Sequence, residues 1–251
     1  MNNTKINVVL LCGGRGTRFR DVTEDKLPKS LYKVQDKELI RYTLDSLDSA
    51  PAIDKLIFAV DHQADTMVQW IHQQKFSTEI VISQQKAPGI VAAIMSASPY
   101  LTSSHFILCN TDEIRVGLDV DSFINQGLSI IKNDECAMAT TRARNLFRHR
   151  VIETNGADVI TTTTLKGEKY KQSPEVEGMI NIGFLMVPKS AIHTLDERYG
   201  NDWSSVINPL VELRKMHAVF NPDIQYFNVG TSSELDEANE FLSGMRAGTM
   251  S

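Results

Sequence analysis

The stretch "LLCGGRGTRFRDVTEDKLPKSLYKV", residues 10–34, places three glycines and a group of cations directly after an apolar run. Gly13, Gly14 and Gly16 carry no Cβ, so backbone N–H groups in this loop can approach an anion closely. An apolar run that leads into such a loop is typical of a strand whose carboxyl end faces a ligand. The stretch therefore predicts a first strand followed by a phosphate-binding loop.

Two cations extend this loop. Arg18 offers a planar fork of N–H donors, whereas Lys29 offers a compact point charge. Pro28 restricts the residue before it to an extended conformation, which fixes how Lys29 is presented. Because glycine freedom and paired cations occur together, the ligand is expected to carry several phosphates.

The charge of the chain is unevenly distributed. The formal net charge is −5, but the segment from Lys5 to Lys33 carries +4 and the remainder −9. A nucleic-acid-binding protein is normally basic over a whole face, with aromatic residues interleaved. The pattern therefore predicts a local site for a small polyanion and no nucleic-acid partner.

Length and composition are those of a globular protein. The chain has 251 residues, of which 42% are hydrophobic and 23% charged. No apolar run approaches the ~20 residues that span a bilayer, and the N-terminus lacks the basic region and cleavage site of a signal peptide. Three widely spaced cysteines indicate a reducing compartment rather than a disulfide framework. The expectation is a cytoplasmic protein without a membrane partner.

Short β-branched runs alternate with helical patterns in the first half, which predicts an α/β fold with a mostly parallel sheet. The predicted strands are 7–11, 56–60, 79–83, 105–109 and 136–143, and the predicted helices are 37–49, 64–74, 91–98 and 121–132. In the second half, strand-like runs at 150–153, 159–165, 179–187 and 224–229 indicate antiparallel or mixed pairing. Helices are expected at 190–198, 204–215 and 233–243, the last capped within 231–233.

Two common phosphate loops are excluded. A P-loop requires Gly-Lys-Ser or Gly-Lys-Thr, which the chain does not contain. A dinucleotide fingerprint requires a third glycine where this chain has Phe19. The motif is therefore Gly-Gly-Arg-Gly-Thr-Arg followed by Leu-Pro-Lys.

This motif resembles the signature of the sugar-1-phosphate nucleotidyltransferase family, in the NTP-transferase superfamily of GT-A-like fold. The family pattern is G-G-x-G-T-R followed by P-K-P. The resemblance implies a Rossmann-like three-layer α/β/α fold with a mostly parallel, mixed central sheet and a smaller antiparallel acceptor-binding subregion. It also implies a single domain, in which residues 1–145 mainly bind the NTP and residues 146–251 mainly bind the acceptor. The acyltransferase-like or β-helical extension of some relatives is not expected.

The resemblance assigns the nucleotide side of the site. Arg18 and Lys29 are implied as catalytic residues. A glutamine after the third strand and a glycine at a following turn are implied to read the base, and here Gln84 or Gln85 matches the glutamine and Gly89 the glycine. The implied nucleotide-binding set is Leu11, Cys12, Gly13, Gly14, Arg15, Gly16, Thr17, Gln84 and Gly89.

The resemblance also implies Mg²⁺ as cofactor. The family's Gly-Asp corresponds here to Thr111-Asp112, and the family's second metal carboxylate corresponds to Asn228. Mg²⁺ takes one or two carboxylates together with phosphate oxygens, so Asp112 is the expected ligand. Asn228 keeps a carbonyl oxygen but no charge, which predicts weaker or water-mediated binding. Glu113 is expected to point elsewhere, because side chains alternate along an extended chain.

The acceptor side matches more loosely. Asn181-Ile-Gly183 corresponds to the family's Asn-x-Gly sugar contact, and Glu168-Lys169 to its Glu-Lys pair, with Glu177 as a rival to Glu168. The implied reaction is attack of an acceptor phosphate on the α-phosphorus of an NTP, releasing pyrophosphate. The most favoured acceptor is a sugar 1-phosphate.

Three alternatives stay open at this point. The chain could be a cytidylyltransferase for a phosphocholine-like phosphoester, a GT-A glycosyltransferase, or a nucleotide-binding regulator with weakened catalysis. A glycosyltransferase usually shows Asp-x-Asp and has no need of the N-terminal motif, whereas Asn228 gives some support to a regulator. A homo-oligomer is a further expectation.

Overall fold

The computed structural model describes residues 5–24, 26–156, 158–164 and 170–248. The strands are β1 (Ile6–Leu11), β2 (Lys33–Val34), β3 (Lys37–Glu38), β4 (Ile53–Val60), β5 (Glu79–Gln84), β6 (His105–Asn110), β7 (Glu113–Val116), β8 (Cys136–Ala143), β9 (Val151–Thr154), β10 (Ile160–Thr164), β11 (Gly178–Pro188), β12 (Met216–Phe220) and β13 (Gln225–Asn228). The helices are α1 (Arg20–Thr23), α2 (Leu39–Asp48), α3 (Ala64–His72), α4 (Ile90–Ala97), α5 (Val120–Ile130), α6 (Ser204–Glu212) and α7 (Ser232–Gly248).

Nine strands form the central sheet, in the order β10-β9-β11-β6-β1-β4-β5, with β8 beside β11 and β12 beside β8. Strands β6, β1, β4 and β5 are parallel, whereas β11 is antiparallel to β6, β8 and β9. The predicted α/β class is confirmed, with the parallel strands in the N-terminal half and antiparallel pairing beyond β6.

The two faces of the sheet are covered by different helices. Alternate residues of β1 divide between two buried clusters, with Val8 and Leu10 in one and Val9 in the other. The first cluster includes the apolar sides of α2, α3 and α5, and the second those of α4 and α6. Because apolar residues on both faces require cover, the three-layer arrangement follows from the nearly continuous apolar sequence of β1. Helix α7 packs in a third cluster with Phe19.

Strand β11 has an interrupted edge, and this interruption positions the site. Strand β8 pairs with one edge of β11, while β9 and β6 pair one after the other with the opposite edge. Residues 181–183 separate the two pairings, and the β8 register shifts between Asn181 and Leu185. Arg115 donates from Nε to the carbonyl of Ile182 at 2.6 Å and from Nη2 to that of Gly183 at 3.0 Å. These two bonds satisfy the carbonyls of Ile182 and Gly183, which lie in the gap in β11 formed by residues 181–183, between the β9 and β6 pairings.

Several predicted elements differ from the structure. The helix expected at 190–198 is instead two short 3₁₀ segments, Lys189–Thr194 and Glu197–Tyr199. The helix expected at 37–49 begins two residues later, because Lys37–Glu38 pairs with β2. The helix expected at 204–215 ends at Glu212. Residues 213–215 instead lead into β12, a strand that was not predicted. Strand β7 was also not predicted; it pairs with β13 outside the main sheet.

The capping prediction for the last helix is correct. Thr231 precedes α7 and its hydroxyl accepts the N–H of Glu234 at 3.3 Å, while the Glu234 carboxylate accepts the N–H of Gly230 at 2.8 Å. This reciprocal arrangement is close to a capping box. Within the described residues, none of the helices combines the length and the apolar character that a bilayer crossing requires.

Candidate active site

The glycine loop after β1 forms one wall of a cavity of about 220 Å³. A Cβ on Gly13 would overlap the side chain of Gln85, and Gly16 adopts a left-handed φ of +56° with the Lys29 stem directly against it. Both positions therefore require glycine for close approach or for conformation. Leu11, Gly13, Gly14 and Gly16 line the cavity, as predicted for the loop.

Not every residue of the predicted loop reaches this cavity. Cys12 is buried behind the loop, and burial raises the pKa of its thiol above the ordinary range. Arg15 and Thr17 are exposed. They line neither this cavity nor the larger cavity that adjoins it. Their nucleotide-binding role stays a prediction. Arg18 lines the larger cavity, close to Gly230.

Lys29 and Asp112 form an ion pair at the floor of the site. The Lys29 Nζ lies 2.6 Å from Asp112 Oδ2, and the side chains are 9% and 33% exposed. The segment that carries Lys29 is fixed by a 2.7 Å hydrogen bond between the Ser30 and Thr111 hydroxyls, and Thr111 in turn donates to the carbonyl of Leu11 at 2.9 Å. Lys29 is thus held against the ends of β1 and β6.

The ion pair controls the charge of Asp112. Burial favours the neutral carboxyl, but the adjacent Lys29 ammonium outweighs it, so the pKa of Asp112 lies below its usual value. A carboxylate that is ionised and partly exposed is available as a cation ligand. A metal ion on Asp112 would share this carboxylate with Lys29.

The expectation that Glu113 points away from Asp112 is wrong. Both side chains line the larger cavity, because the chain bends at residues 111–112 after β6 ends, and side-chain alternation applies only to extended strand. Glu113 is engaged, however: it is ion-paired with Arg115 and accepts the Asn110 amide at 2.7 Å. Burial raises its pKa, with Arg115 opposing the shift.

The loop after β5 forms the opposite wall of the smaller cavity. Gln85 is buried and lines it, whereas Gln84 is exposed at the end of β5, so of the two candidate glutamines the structure brings Gln85 to this cavity. Gly89 has a φ of +109°, and a Cβ there would overlap the Asn201 amide. Asn201 donates to the carbonyl of Pro88 at 2.9 Å, which fixes this turn.

A larger cavity of about 590 Å³ adjoins the first across Asp112. Asn181 and Gly183, in the gap along β11, line it. Asn181 Oδ1 accepts the N–H of Gly183 at 2.9 Å, and Gly183 has a φ of +62° with the Glu113 carboxylate in the place of a side chain. Both predicted acceptor residues are therefore brought to one wall.

The other acceptor predictions fare differently. Glu177 is exposed and ion-paired with Arg144 at 2.9 Å, and it lines neither cavity, so the structure does not bring it to the other predicted acceptor residues. Its strand, β11, begins only at Gly178, outside the gap. Glu168 and Lys169 lie outside the described residues.

The residues present suit a Mg²⁺ ion that arrives with phosphates. Asp112 and Asn228 line the same cavity, and β13 pairs Asn228 opposite Glu113. Over the part of the chain that the structure describes, no three His, Cys, Asp or Glu side chains cluster as a preformed metal cage. One carboxylate, shared with Lys29, and one amide oxygen match an ion whose remaining ligands are water and phosphate.

Sequence reasoning missed several cavity residues, four of which matter most for the site. Asp202 and Trp203 line both cavities, and the indole of Trp203 donates to Asn110 Oδ1 at 3.1 Å. His149 and Arg150 line the larger cavity. The only signal was the cationic triplet Arg-His-Arg at 148–150, which precedes a predicted strand.

The structure is that of an α/β protein in which a glycine loop and the Lys29–Asp112 pair line one cavity, and a second, larger cavity adjoins it. Comparison with known proteins gives the family. Residues 7–244 match the family described as nucleotidyl transferase. The chain therefore belongs to the nucleotidyl transferase family, as the N-terminal motif predicted.

Individual relatives are distant. The chain is 21% identical over 199 residues to D-glycero-alpha-D-manno-heptose 1-phosphate guanylyltransferase of Campylobacter jejuni subsp. jejuni serotype O:2, covering 77% of this chain and 82% of that protein. It is 22% identical over 219 residues to bifunctional protein GlmU of Methanococcus maripaludis, covering 85% of this chain and 49% of that protein. The chain thus spans about half the length of that bifunctional relative. Among solved structures, HddC from Yersinia pseudotuberculosis superposes with a TM-score of 0.74 at 21% identity, covering 94% of this chain and 99% of that one.

Proposed function

We propose that this protein transfers a nucleoside monophosphate from an NTP to the phosphate of a sugar 1-phosphate, forming an NDP-sugar and pyrophosphate. The observation that carries the proposal is the position of the Lys29–Asp112 pair. Asp112 lines both cavities, and Lys29 lines the one formed by the glycine loop. A cation and a potential metal ligand therefore lie where a nucleotide in one cavity would meet an acceptor in the other.

The printed names of the relatives support the sugar acceptor. The Campylobacter relative is named as a guanylyltransferase for a heptose 1-phosphate, and HddC is described in complex with GMP-PN. These names favour a sugar 1-phosphate over a phosphocholine-like acceptor. They also make GTP the first nucleotide to test.

The chemistry requires positioning and charge neutralisation rather than a general base. A phosphomonoester has a second pKa near ~6, so the acceptor oxygen is already anionic at neutral pH. Lys29 would lie between the α-phosphate and the acceptor phosphate, which repel each other when unscreened. Arg18 would neutralise the charge that develops on the departing pyrophosphate.

Mg²⁺ is the proposed cofactor. Asp112 would hold it, and Asn228 would contribute an amide oxygen directly or through water. When bound, the ion supplies Lewis-acid polarisation of phosphate oxygens and screens the two polyanions. Within the chain, the side chain of Gln85 and the turn at Gly89 would meet the base.

Pyrophosphate release tests the proposal. The four NTPs are combined with a panel of sugar 1-phosphates and phosphocholine, with and without Mg²⁺. Release with an NTP and a sugar 1-phosphate supports the proposal. Release only with phosphocholine, hydrolysis of an NDP-sugar donor, or nucleotide binding without turnover would each replace it with one of the three alternatives.

Localisation and assembly complete the proposal. The three cysteines are free and buried, which suits a reducing cytoplasm where NTPs are made and used. A homo-oligomer stays a prediction, and size-exclusion chromatography with light scattering measures it directly.

A further inference from the structure

Arg150 is a buried cation in the wall of the larger cavity. The residue is 8% exposed, and its guanidinium donates to the Ser204 hydroxyl at 2.7 Å, to the Thr163 hydroxyl at 3.3 Å and to Asn208 Oδ1 at 3.4 Å. These partners are neutral oxygens, so they orient the fork without cancelling its charge. An arginine has five N–H donors, and two remain after these three bonds.

Three other charged side chains that line this cavity have ion partners, and Arg18, which the proposed function assigns to the pyrophosphate, lies near Gly230. Glu113 is paired with Arg115, Asp112 with Lys29, and Arg148 with Glu237 at 2.8 Å outside the cavity. Among the described residues, no carboxylate forms an ion pair with Arg150. Asp202 lies close enough to act on it electrostatically, but its carboxylate accepts the N–H of Ser204 at 2.7 Å.

This arrangement leaves a charge without a partner. Burial of an arginine without a counter-ion is unfavourable, and here it lowers the pKa of the guanidinium, with Asp202 opposing the shift only in part. Arginine nevertheless remains charged at neutral pH. A cationic fork that is fixed by hydroxyls and opens onto a cavity is suited to an anionic ligand.

Arg150 also lies apart from the transfer point. Its carbonyl accepts the N–H of Asn181 at 3.1 Å, so its backbone extends the β9 pairing into the gap in β11. Its guanidinium donates to Ser204 of α6 and to Thr163 of β10, whereas the Lys29 ammonium is paired with Asp112. Of the two cavities, Arg150 lines only the larger and Lys29 only the smaller.

We propose that the acceptor carries a second anionic group, a carboxylate or an additional phosphate on the sugar, and that Arg150 binds this group. The inference rests on the proposed function, because it assigns the distal end of the same acceptor. The phosphate that reacts lies at Lys29, and the second anion lies at the Arg150 guanidinium in the larger cavity. Acceptors that are neutral at this end leave the Arg150 charge buried and unmatched.

The first experiment compares acceptors with the wild-type protein. Glucose 1-phosphate, glucuronic acid 1-phosphate and glucose 1,6-bisphosphate, with their galacto counterparts, are assayed with the preferred NTP by pyrophosphate release. We expect kcat/KM for an acidic acceptor to exceed that for its neutral counterpart by at least about tenfold, the usual effect of one hydrogen bond to a charged group. The better of the two acidic acceptors shows whether the group is a carboxylate or a phosphate.

The second experiment changes Arg150. Arg150→Gln is expected to reduce the acidic-to-neutral ratio of kcat/KM to about one, mainly through KM for the acidic acceptor. Arg150→Lys keeps the charge without the fork and should retain part of the preference. Arg142→Gln removes the same charge from an exposed position on β8 and should keep the wild-type ratio. Because the ratio is taken within one preparation, partial unfolding of a variant does not affect it.

Two results would overturn the inference. One is a wild-type preference for neutral acceptors, and the other is an unchanged ratio in Arg150→Gln. Failure of the proposed function looks different, because pyrophosphate would then be released with none of the acceptors, neutral or acidic.

Discussion

The ammonium of Lys29 lies 2.6 Å from the carboxylate of Asp112, at the place where the two cavities of this protein meet. Without ligand, each side chain neutralises the other, which allows a lysine to be buried at 9% exposure. A phosphate at this place gives Lys29 a second anionic partner. The Lys29–Asp112 pair is therefore a structural contact that is also part of the candidate site.

Lys29→Ala is expected to lower kcat/KM by at least about a thousandfold, because the variant lacks the cation between two repelling phosphates. Stability should fall by only about 1–3 kcal/mol, since Asp112 keeps access to solvent. Lys33→Ala, at an exposed position of β2, is the matched control and should behave as wild type. Near-normal turnover in Lys29→Ala, measured by pyrophosphate release, would remove Lys29 from the mechanism.

Asn228→Asp is expected to lower the Mg²⁺ concentration that gives half-maximal activity by several-fold, because a second carboxylate in the cavity that Asp112 lines strengthens binding of a hard cation. Asp112→Asn should raise that concentration or abolish activity. The measurement is a Mg²⁺ titration at saturating nucleotide. Asp65→Asn, on the exposed side of α3, controls for the change in net charge. An unchanged Mg²⁺ dependence in both site variants would place the metal elsewhere.

Gly89→Ala is expected to destabilise the protein by about 1–3 kcal/mol, because a φ of +109° is strained for alanine and the new methyl group overlaps Asn201. Gly14→Ala is the matched control for stability: its φ is not positive, and no atom lies within 4 Å of the added Cβ. Urea denaturation of both variants checks the difference. Equal stability of the two variants would contradict the geometry of the turn at Gly89.

His149 predicts a pH dependence of stability. Burial, with Arg148 beside it, lowers its pKa from 6.5 to about 4 in the folded protein. Below pH 6.5 the unfolded chain takes up a proton that the folded protein does not. The free energy of unfolding therefore decreases as the pH is lowered from 6.5 to about 4. Between pH 7.5 and 5 this one group costs about 2 kcal/mol.

His149→Gln should remove that share of the acid sensitivity. The free energy of unfolding, measured by urea denaturation at pH 7.5 and 5, is expected to fall less in the variant than in the wild type. His72→Gln, at the exposed end of α3, should show the wild-type difference. Identical losses in His149→Gln and the wild type would show that His149 titrates normally.

Local patterns in the sequence predicted the glycine loop well. Gly13, Gly14 and Gly16 lie together because they directly follow β1, whereas Lys29 is held beside them by the long-range hydrogen bond between Ser30 and Thr111. Asp112 was predicted from the family resemblance, and it lies near the glycine loop because the parallel strands β1 and β6 bring their carboxyl ends to one edge.

Long-range features were not visible in the sequence. Gln85 replaces Gln84 in the cavity because the strand continues one residue further than its apolar pattern, and one residue reverses the direction of a side chain. Glu113 faces the cavity because of a bend after β6, and Glu177 faces solvent because its strand begins beyond it. Arg150 and Trp203 reach the site only through the antiparallel pairing of β9 and the packing of α6. Neither has a periodic signal.

The interrupted edge of β11 separates two parts of the sheet that are joined to their neighbours by ladders of different length. Strands β6, β1 and β4 are joined by ladders of five or six residue pairs, whereas β9 meets β11 through Met179↔Ile152 and Ile180↔Val151 alone. The β9–β10 pair, next to Arg150, thus shares a shorter ladder with β11 than the parallel strands share with one another. If Arg150 binds the acceptor as proposed, exchange of this pair between relatives would change acceptor preference while the glycine loop and the Lys29–Asp112 pair stay in place.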